Sequence, residues 1–336
     1  MGKVTQILIM LGCCFCFSDA SSQTSSSDQQ LANKVDQFVN KMVSKHQFDQ
    51  QYIKDALALA NKDQVILDAI ARPWEAKPWY QYYPIFLTEK RLEKGLAFWQ
   101  KHHDTLSRAE KETGVPAQII TAIIGVETFY GTYKGKYSVL DALYTLGFHY
   151  PPRSKFFSSE LEQYFLLTRE EGFDLHELKG SYAGAMGWGQ FISSSYRHYA
   201  VDFDGDGVRD LLNNPVDAIG SVANYFKVHG WKGGEDVAFM ADIDETKNNH
   251  QALLSKTLKF KDQWQALKDA GIKINSDIGL SPTQSVKLLE FDIENGHEYW
   301  VGLPNFYVIT RYNHSPLYAM AVYQFSEQLR LAMEKQ

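Results

Sequence analysis

The chain has 336 residues, enough for one large domain or for two or three smaller ones, each with its own hydrophobic core. Acidic residues number 40 and Lys plus Arg 34, and the formal net charge of −6 supplies no basic stripe for phosphates, which argues against a nucleic-acid-binding protein. Aromatic residues are frequent, with 19 Tyr, 20 Phe and 7 Trp, and rings outside the apolar stripes suit stacking against the apolar faces of sugars.

The N-terminal residues 1–20 predict an export signal. One lysine precedes an apolar run over residues 7–17, and Ser18-Asp19-Ala20 resembles a small-residue cleavage site. All three cysteines of the chain lie inside this segment, so we expect the mature chain to hold no zinc–thiolate site, no catalytic cysteine and no disulfide. Leu11-Gly12-Cys13 also fits a bacterial lipoprotein in which Cys13 carries lipid, and soluble export and lipid anchoring both stay open.

A helical part follows the signal. Residues 21–30 are polar and rich in Ser and Gln, which predicts a flexible tether. Residues 31–100 predict a helical domain, in which two short helices fit Gln50–Ala60 and Gln64–Ile70, with Asp63 as the cap of the second.

The segment 73–84 is punctuated by proline and contains five aromatic residues, which indicates a loop rather than a helix or a central strand. Its composition leaves two interpretations open, a loop wrapped on the core or one wall of a groove. Beyond it, Thr88–Glu112 predicts one long helix that is charged on one side.

Glu127 is the only charged residue between Val115 and Tyr133, at the end of a segment that predicts a helix apolar on nearly every side. A carboxylate there is removed from water and lies at the negative end of the helix dipole, and both effects favour its protonated form. A carboxylic acid that stays protonated near neutral pH is what an enzyme needs to protonate a glycosidic oxygen. The alternative is a structural carboxylate in a buried hydrogen-bond network.

The block Ser181–Phe191 is rich in small residues, which allow a ligand to approach the backbone closely. Its glycine spacing resembles a dinucleotide-binding loop, but no predicted strand precedes it and no acidic partner follows at the right distance, so we reject that interpretation. The chain also lacks the His-Glu-x-x-His and Gly-x-Ser-x-Gly motifs, which argues against a zinc metalloprotease and against a serine hydrolase.

A segment that begins at Asp202 has the spacing of a calcium-binding loop, with oxygen ligands at its first, third and fifth positions and a backbone carbonyl at its seventh. Asn213 stands at the twelfth position, where a bidentate Glu is expected, and Asp217 could close a longer loop over residues 202–217. We predict one structural Ca²⁺, and the alternative is an acidic turn without an ion. The predicted ligands are Asp202, Asp204, Asp206, Val208 and Asp217.

After residue 235 the spacing of the apolar residues changes from helical to strand-like. Ser285–Thr310 alternates with period two, and Asn295-Gly296 is the strongest hairpin signal in the chain. With Asn305–Tyr312 as a third strand, residues 236–312 predict a small antiparallel β subdomain. A final helix, within residues 315–336, is expected to pack on the helical domain.

Five motifs occur in a fixed order: Glu127 in its Gly-Val-Glu-Thr context, the block Ser181–Gln190, the calcium loop, Pro215–Phe226 and Ile309–Ser315. Together they closely resemble the membrane-bound lytic murein transglycosylase B family of bacteria, from residue 31 onward. The resemblance implies a mainly α (α+β) fold. A lysozyme-like α core, residues 101–235, would carry the EF-hand-like calcium loop, flanked by the N-terminal helical domain and the small antiparallel β subdomain.

The resemblance also implies a function, the lytic cleavage of peptidoglycan during cell-wall turnover. The bond cut is the β-1,4 bond between N-acetylmuramic acid and N-acetylglucosamine, and a 1,6-anhydro end forms. The enzyme would be a periplasmic monomer, anchored to the outer membrane if Cys13 carries lipid. Glu127 matches the family's catalytic acid. The positions that match its substrate-binding residues are Ser181, Gln190, Tyr82, Arg153, Tyr225, Tyr312, Asn313 and Tyr318.

A one-acid mechanism is coherent with these motifs, since ordinary glycoside hydrolases need two carboxyl groups and the motif blocks offer one. Asp141, Glu160 and Glu162 are near Glu127 in sequence, but their setting predicts solvated helix charges. Two alternatives remain, a hydrolytic muramidase of the same fold and a non-catalytic peptidoglycan-binding or scaffold protein.

Overall fold

The computed structural model of this chain describes residues 20–71, 77–244, 249–255, 257–275 and 279–335, and for residues 20–27 the backbone alone. The predicted export signal, apart from Ala20, and the predicted lipid-bearing Cys13 lie outside these residues. Within the described ranges, no helix is both long and apolar enough to cross a membrane.

The described residues up to Leu59 belong to the first of two compact units. Its described part consists of helix α1, Ala20–His46, and helix α2, Gln50–Leu59, which pack against each other. The prediction of a flexible tether at residues 21–30 is wrong, because the backbone of α1 is already helical there. No Gly or Pro interrupts this stretch, and extending a formed helix by one residue costs far less than starting one.

The second unit begins at Ala60 and holds the other helices and the sheets. Helix α3, Gln64–Ile70, confirms its prediction, and the Asp63 side chain accepts a hydrogen bond from the N–H of Val65 as its cap. The unit division does not follow the predicted boundary at residue 100, which stays a prediction. The next helices are α4 Trp79–Tyr82, α5 Glu89–Lys101, α6 His103–Thr113, α7 Ala117–Thr128, α8 Val139–His149, α9 Ser154–Glu171, α10 Ser193–Tyr199 and α11 Pro215–Val228.

The predicted single helix Thr88–Glu112 is instead the pair α5 and α6. Thr88 caps α5 by accepting a hydrogen bond from the N–H of Arg91, and the backbone leaves the helical region at His102, with φ −112° and ψ 24°. Both helices contact α7, but α5 also packs on the C-terminal helix, whereas α6 packs mainly on α11.

Of the aromatic segment expected to be a loop, the structure describes the part from residue 77 onward, which contains helix α4 and a 3-10 turn at Tyr83–Ile85. Pro78 stands at the N-cap of α4, where its missing N–H costs no intrahelical bond. The ring of Trp79 packs at 5.3 Å from that of Phe291. Trp79 and Tyr82 are both buried, so this segment does cover the core.

Two antiparallel sheets complete the described fold. A small one pairs β1, Tyr137–Ser138, with β2, Lys179–Gly180. The larger one has the order β4-β6-β7-β3-β5, with β3 Ala238–Asp242, β4 Asp262–Gln263, β5 Lys273–Ile274, β6 Ser285–Ile293 and β7 Gly296–Gly302. The predicted hairpin is confirmed, since Ile293 pairs with Gly296, whose φ of 114° favours glycine. Helix α12, Trp264–Asp269, packs against β6.

The predicted third strand Asn305–Tyr312 is wrong, because Pro304–Tyr312 forms helix α13. Pro304 occupies the first helical turn, where its fixed φ favours a helix start. The Asn305 side chain also binds the backbone of Lys232 and Glu235, which fixes that start. These contacts override the strand propensity of Val308-Ile309-Thr310.

The C-terminal helix α14, Pro316–Met333, begins at a Ser315 cap, which confirms its predicted start. It packs against α7, α5 and α13, and its residues Ala319 to Val322 are fully buried. Helix α14 therefore contacts both the predicted helical domain, through α5, and the predicted core, through α7. This packing brings its first turn to the end of α7.

Candidate active site

Helix α7 delivers Glu127 to the site. The helix begins at a Pro116 cap, and Glu110 accepts a hydrogen bond from the N–H of Ala117, one of the amides without an intrahelical partner. It ends abruptly, because Phe129 and Tyr130 both adopt positive φ, 51° and 56°. Such strain in residues other than glycine concentrates at functional sites, where the surroundings hold it in place.

Gly125 explains why the motif begins with glycine. A Cβ atom at this position would come within 2.5 Å of the Tyr130 hydroxyl oxygen. A Cβ atom at Gly95 of α5 would approach the same oxygen as closely. The Tyr130 ring is thus held between α5 and α7 by two residues without side chains. This fixes the turn that follows Glu127.

Glu127 is half-buried, and its carboxyl group is hydrogen-bonded. Tyr318, in the first turn of α14, donates its hydroxyl proton to Oε1 of Glu127 at 2.5 Å. Removal from water raises the pKa of Glu127 to about 7, and the hydrogen bond from Tyr318 acts in the opposite direction. At neutral pH the protonated and the ionised forms of Glu127 are therefore both populated, which suits a group that donates and then accepts a proton.

Replacing Tyr318 with Phe tests that balance. Tyr318→Phe removes a hydrogen bond that favours the ionised form, so the pKa of Glu127 should rise further. The limb of the pH–rate profile on which the acid loses its proton should move upward by about one to two pH units. Tyr323→Phe, on the same helix, removes a hydroxyl that binds the backbone oxygen of Ala238 and should leave the profile in place. A downward or absent shift in Tyr318→Phe would contradict the assignment.

Glu127 opens into a pocket of about 220 Å³, which we call the acid pocket. It brings together four of the residues predicted from the sequence, Tyr82, Glu127, Asn313 and Tyr318. The remaining walls are apolar and were missed in the sequence. The full lining is Tyr82, Ile85, Phe86, Val126, Glu127, Asn313 and Tyr318.

A second cavity of about 420 Å³, the basic groove, holds four more predicted residues. The Tyr312 ring lies parallel to that of Tyr318, with centroids 6.5 Å apart, so aromatic walls connect the two cavities. Burial lowers the pKa of His229, and Arg153 and Arg311 supply positive charge to this cavity. The polar and aromatic lining includes Arg153, Gln190, Tyr199, Tyr225, His229, Arg311, Tyr312 and His314.

Neither cavity contains a second carboxyl group. Among the described residues that line the acid pocket and the basic groove, Glu127 is the only Asp or Glu. Hydrolases that use two carboxyl groups need the second one within about 5–9.5 Å of the first, on the sugar's other side. The lining of this site supplies no such partner.

Ser181 and Gln190 hold different positions. The Ser181 hydroxyl accepts hydrogen bonds from the N–H groups of Ala183 and Ala185, and Ser181 is not among the residues that line either cavity. Gln190 lines the basic groove with φ 50°, and its amide donates to the carbonyls of Lys134 and Gly187. The Ser181 side chain therefore stabilises the backbone of its own block, and Gln190 lines the groove.

Sequence reasoning missed part of the basic groove. Arg311 and His314 belong to the quoted motif Ile309–Ser315, yet only their neighbours Tyr312 and Asn313 were predicted as site residues. Their position in that motif was the available signal. No such signal existed for Tyr199 and His229, because they reach the groove by packing on Tyr225. Their ring centroids lie 4.8 Å and 4.1 Å from that of Tyr225.

The prediction of solvated helix charges is wrong for Glu160 and Glu162, whereas Asp141 is half-buried. Glu160 and Glu162 are only 4% and 2% exposed, because α9 lies between α8 and α10. Glu160 accepts a hydrogen bond from the N–H of Ser194, and Asp141 accepts one from the N–H of Asn61. These two contacts are structural, and all three residues lie outside the lining of the two cavities.

The predicted calcium loop brings three of its carboxylates together. Ligand oxygens of Asp202, Asp204 and Asp217 all lie within 4.8 Å of one another. Asp217 is fully buried and accepts hydrogen bonds from the N–H groups of Phe203 and Asp210. Asp206 is not part of this group, and its side chain accepts a hydrogen bond from the N–H of Val208. Three converging carboxylates are a donor set that a hard divalent cation prefers.

A mainly helical core that holds one desolvated acid beside aromatic walls defines a lysozyme-like, glycan-cleaving class of enzyme. The chain belongs to the transglycosylase SLT domain family, whose pattern matches residues 30–327. This confirms the family, the fold class and the enzyme predicted from the sequence motifs.

Three similar proteins illustrate the family. Membrane-bound lytic murein transglycosylase B of Escherichia coli K12 is 47% identical over 306 residues, covering 88% of this chain and 82% of that protein. The crystal structure of soluble lytic transglycosylase SltB1 from Pseudomonas aeruginosa is 48% identical, with a TM-score of 0.84, and covers 90% of this chain and 99% of that one. The E. coli lytic transglycosylase SLT35 in complex with calcium is 46% identical, with a TM-score of 0.81, and covers 89% and 93%.

Proposed function

We propose that this chain is a lytic transglycosylase that cleaves peptidoglycan between N-acetylmuramic acid and N-acetylglucosamine and leaves a 1,6-anhydro end. The observation that supports it best is the single carboxyl group of the two cavities, Glu127, with a pKa of about 7. A carboxyl group with this pKa can act first as an acid and then as a base. Family membership supports the same reaction.

The reaction needs one group that donates a proton and then takes up another. Protonated Glu127 donates to the bridging oxygen, the bond from that oxygen to C1 breaks, and an oxocarbenium-like muramic acid remains. Ionised Glu127 then takes the proton of the 6-hydroxyl group of the same sugar, whose oxygen forms the new bond to C1. No water is consumed, and Glu127 ends protonated as it began. The Tyr318 hydroxyl stabilises the ionised state between these two steps.

The walls around Glu127 suit an extended glycan. Tyr82 and Tyr318 supply aromatic faces in the acid pocket, and Tyr225 and Tyr312 supply them in the basic groove. Gln190 and Asn313 offer amides that can orient N-acetyl groups, and Arg153 offers a charge to the anionic parts of the strand. Ser181 supports the Gln190 loop through its hydrogen bonds to the backbone.

We include a structural calcium ion in the proposal. Asp202, Asp204 and Asp217 would hold it, with Asp206 and the Val208 carbonyl as further ligands after a local adjustment. The ion would neutralise carboxylates that otherwise repel one another. The complex of the E. coli relative SLT35 with calcium supports this role.

The proposal places the enzyme in the periplasm as a monomer whose partners are peptidoglycan strands. The name of the E. coli relative, a membrane-bound transglycosylase, supports an association with a membrane. Lipid on Cys13 would provide an anchor to the outer membrane. Metabolic labelling with a fatty acid, compared between the wild type and Cys13→Ala, tests this anchor.

Digestion of purified cell-wall sacculi tests the reaction. We expect released fragments that are one water lighter than the hydrolysis products, and no label from heavy-oxygen water in their muramic acid ends. Labelled, full-mass ends would identify a hydrolytic muramidase instead. Sacculi that bind the protein but release no fragments would identify a non-catalytic binding protein.

A further inference from the structure

Three of the residues that line the acid pocket come from one short segment, which we call the 82–86 wall. They are Tyr82, Ile85 and Phe86. Tyr82 is buried and its ring lies 5.2 Å from that of Phe86, whereas Ile85 is 38% exposed. Burial therefore holds the wall at Tyr82, and its other end depends on a different contact.

Arg91, in the first turn of α5, holds that other end. Its Nη1 atom donates to the backbone oxygens of Ile85 and Phe86, at 2.7 and 2.6 Å. A 3-10 turn ends at these residues, where backbone oxygens lack partners within the turn. A charged donor binds such oxygens more strongly than a neutral one, so the guanidinium group fixes the backbone of the wall.

The same guanidinium group contacts the turn that follows Glu127. Its central carbon lies 5.2 Å from the centre of the Phe129 ring, and Phe129 has the positive φ at which α7 ends. Lys94, one turn further along α5, lies 4.6 Å from the same ring and donates to the hydroxyl of Thr132, which donates to the Phe129 carbonyl. Two cations of α5 thus support the strained turn, and Arg91 also holds the wall.

The position of Arg91 is costly for a charged side chain. Arg91 is half-buried, and burial lowers its pKa. Its Nε atom is buried and has no hydrogen-bond partner within the described residues. An apolar side chain of similar length would fill the space without this cost. The contacts that the charged group does make therefore indicate its role.

We propose that Arg91 is a positioning residue for the reaction, because it fixes the 82–86 wall to the turn after Glu127 and so keeps water away from the carboxyl group. This rests on the proposed function, since it explains how the site of that reaction is held together. Without Arg91, the wall would move outward and water would reach Glu127.

The loss of Arg91 has two opposite consequences for the pKa of Glu127. Water that enters past a loosened wall stabilises the carboxylate and lowers this pKa, whereas the loss of a nearby positive charge raises it. Arg91→Met combines the two effects. Arg91→Lys separates them, because a lysine keeps the charge but is shorter and lacks the planar fork of donors.

The other titratable groups around Glu127 are unchanged in both variants. Tyr82 of α4 and Tyr318 of α14 line the acid pocket with it, and Tyr312 of α13 lies near enough to be affected by its charge. Burial raises the pKa of Tyr312 and that of Tyr318 well above the usual value, so neither ionises near neutral pH. The charge of Lys94 is present in the wild type and in both variants.

The test titrates Glu127 directly, through the NMR signal of its carboxyl carbon in the full-length protein. We expect the pKa of Glu127 to fall by about one pH unit in Arg91→Met, and to fall by less in Arg91→Lys. On sacculi, the limb of the pH–rate profile on which the acid loses its proton should move down with it. Lys90→Met, at an exposed lysine on the same helix, is the matched control and should leave both measurements at their wild-type values.

An unchanged or raised pKa in folded Arg91→Met would overturn the proposal, because a merely structural role lowers turnover without lowering this pKa. If Arg91→Met does not fold, Arg91→Lys decides by the same criterion. A wild type that releases no fragments from sacculi would refute the proposed function. The titration would still show whether Arg91 keeps water from Glu127.

Discussion

Glu127→Gln is expected to lower turnover on sacculi by at least about a thousandfold, because one group performs both proton transfers of the reaction. The amide keeps the shape of the side chain, so it still fits beside Tyr318, but it can neither donate the proton nor recover it. Binding of glycan strands should change little, since the walls of the acid pocket and the basic groove are untouched. Turnover and strand binding are measured separately, by released fragments and by equilibrium titration.

Glu93→Gln is the matched control, an exposed glutamate on α5 that should retain wild-type turnover. Turnover of Glu127→Gln within tenfold of the wild type would remove Glu127 from the mechanism. A loss of binding equal to the loss of turnover would instead assign Glu127 a role in holding the strand.

The second large effect is expected at Asp217, and it concerns stability. Asp217 is buried, and Asp217→Ala leaves the N–H groups of Phe203 and Asp210 without their hydrogen-bond acceptor. This should lower the free energy of unfolding by about 2–4 kcal/mol. It also removes the buried carboxylate from the group that converges with Asp202 and Asp204. Thermal unfolding is therefore measured with CaCl₂ and with a chelator.

In the wild type, calcium should raise the unfolding temperature, because an ion that binds only the folded state stabilises it by mass action. That increase should disappear in Asp217→Ala and persist in Asp269→Asn, an exposed aspartate outside the loop. An equal response to calcium in Asp217→Ala would exclude this residue as a ligand. No response in the wild type would favour the alternative of an acidic turn without an ion.

Local signals in the sequence predicted the elements that local contacts decide. The apolar run before Glu127, the Asp63 cap and the Asn295-Gly296 hairpin all concern residues near each other in the chain, and the structure confirms each one. The start of α14 at Ser315 belongs to the same group.

Distant contacts account for the errors. Whether Asn305–Tyr312 is a strand or a helix depends on the backbone of Lys232 and Glu235, some seventy residues earlier. The break at His102 separates a helix that packs on α14 from one that packs mainly on α11. Burial of Glu160 depends on α10, whose Ser194 N–H donates to its carboxylate, and α9 as a whole packs against both α8 and α10.

Prediction of the candidate site from the sequence is limited by distant contacts in the same way. The carboxyl group at Glu127 is evident from its neighbours, and the family resemblance supplied seven further residues that line the two cavities. The pairing of Glu127 with Tyr318 and the stacking of His229 on Tyr225 are visible only once the helices are packed.

The hydrogen bond between Tyr318 and Glu127 spans 191 positions of the chain. A contact of such long range forms only after the intervening segments have closed a large loop, and it is lost when that loop opens. A partly folded molecule, or one nicked by a protease between the two helices and then unravelled, thus lacks the finished proton donor. Only completely folded molecules can therefore cleave a cell wall.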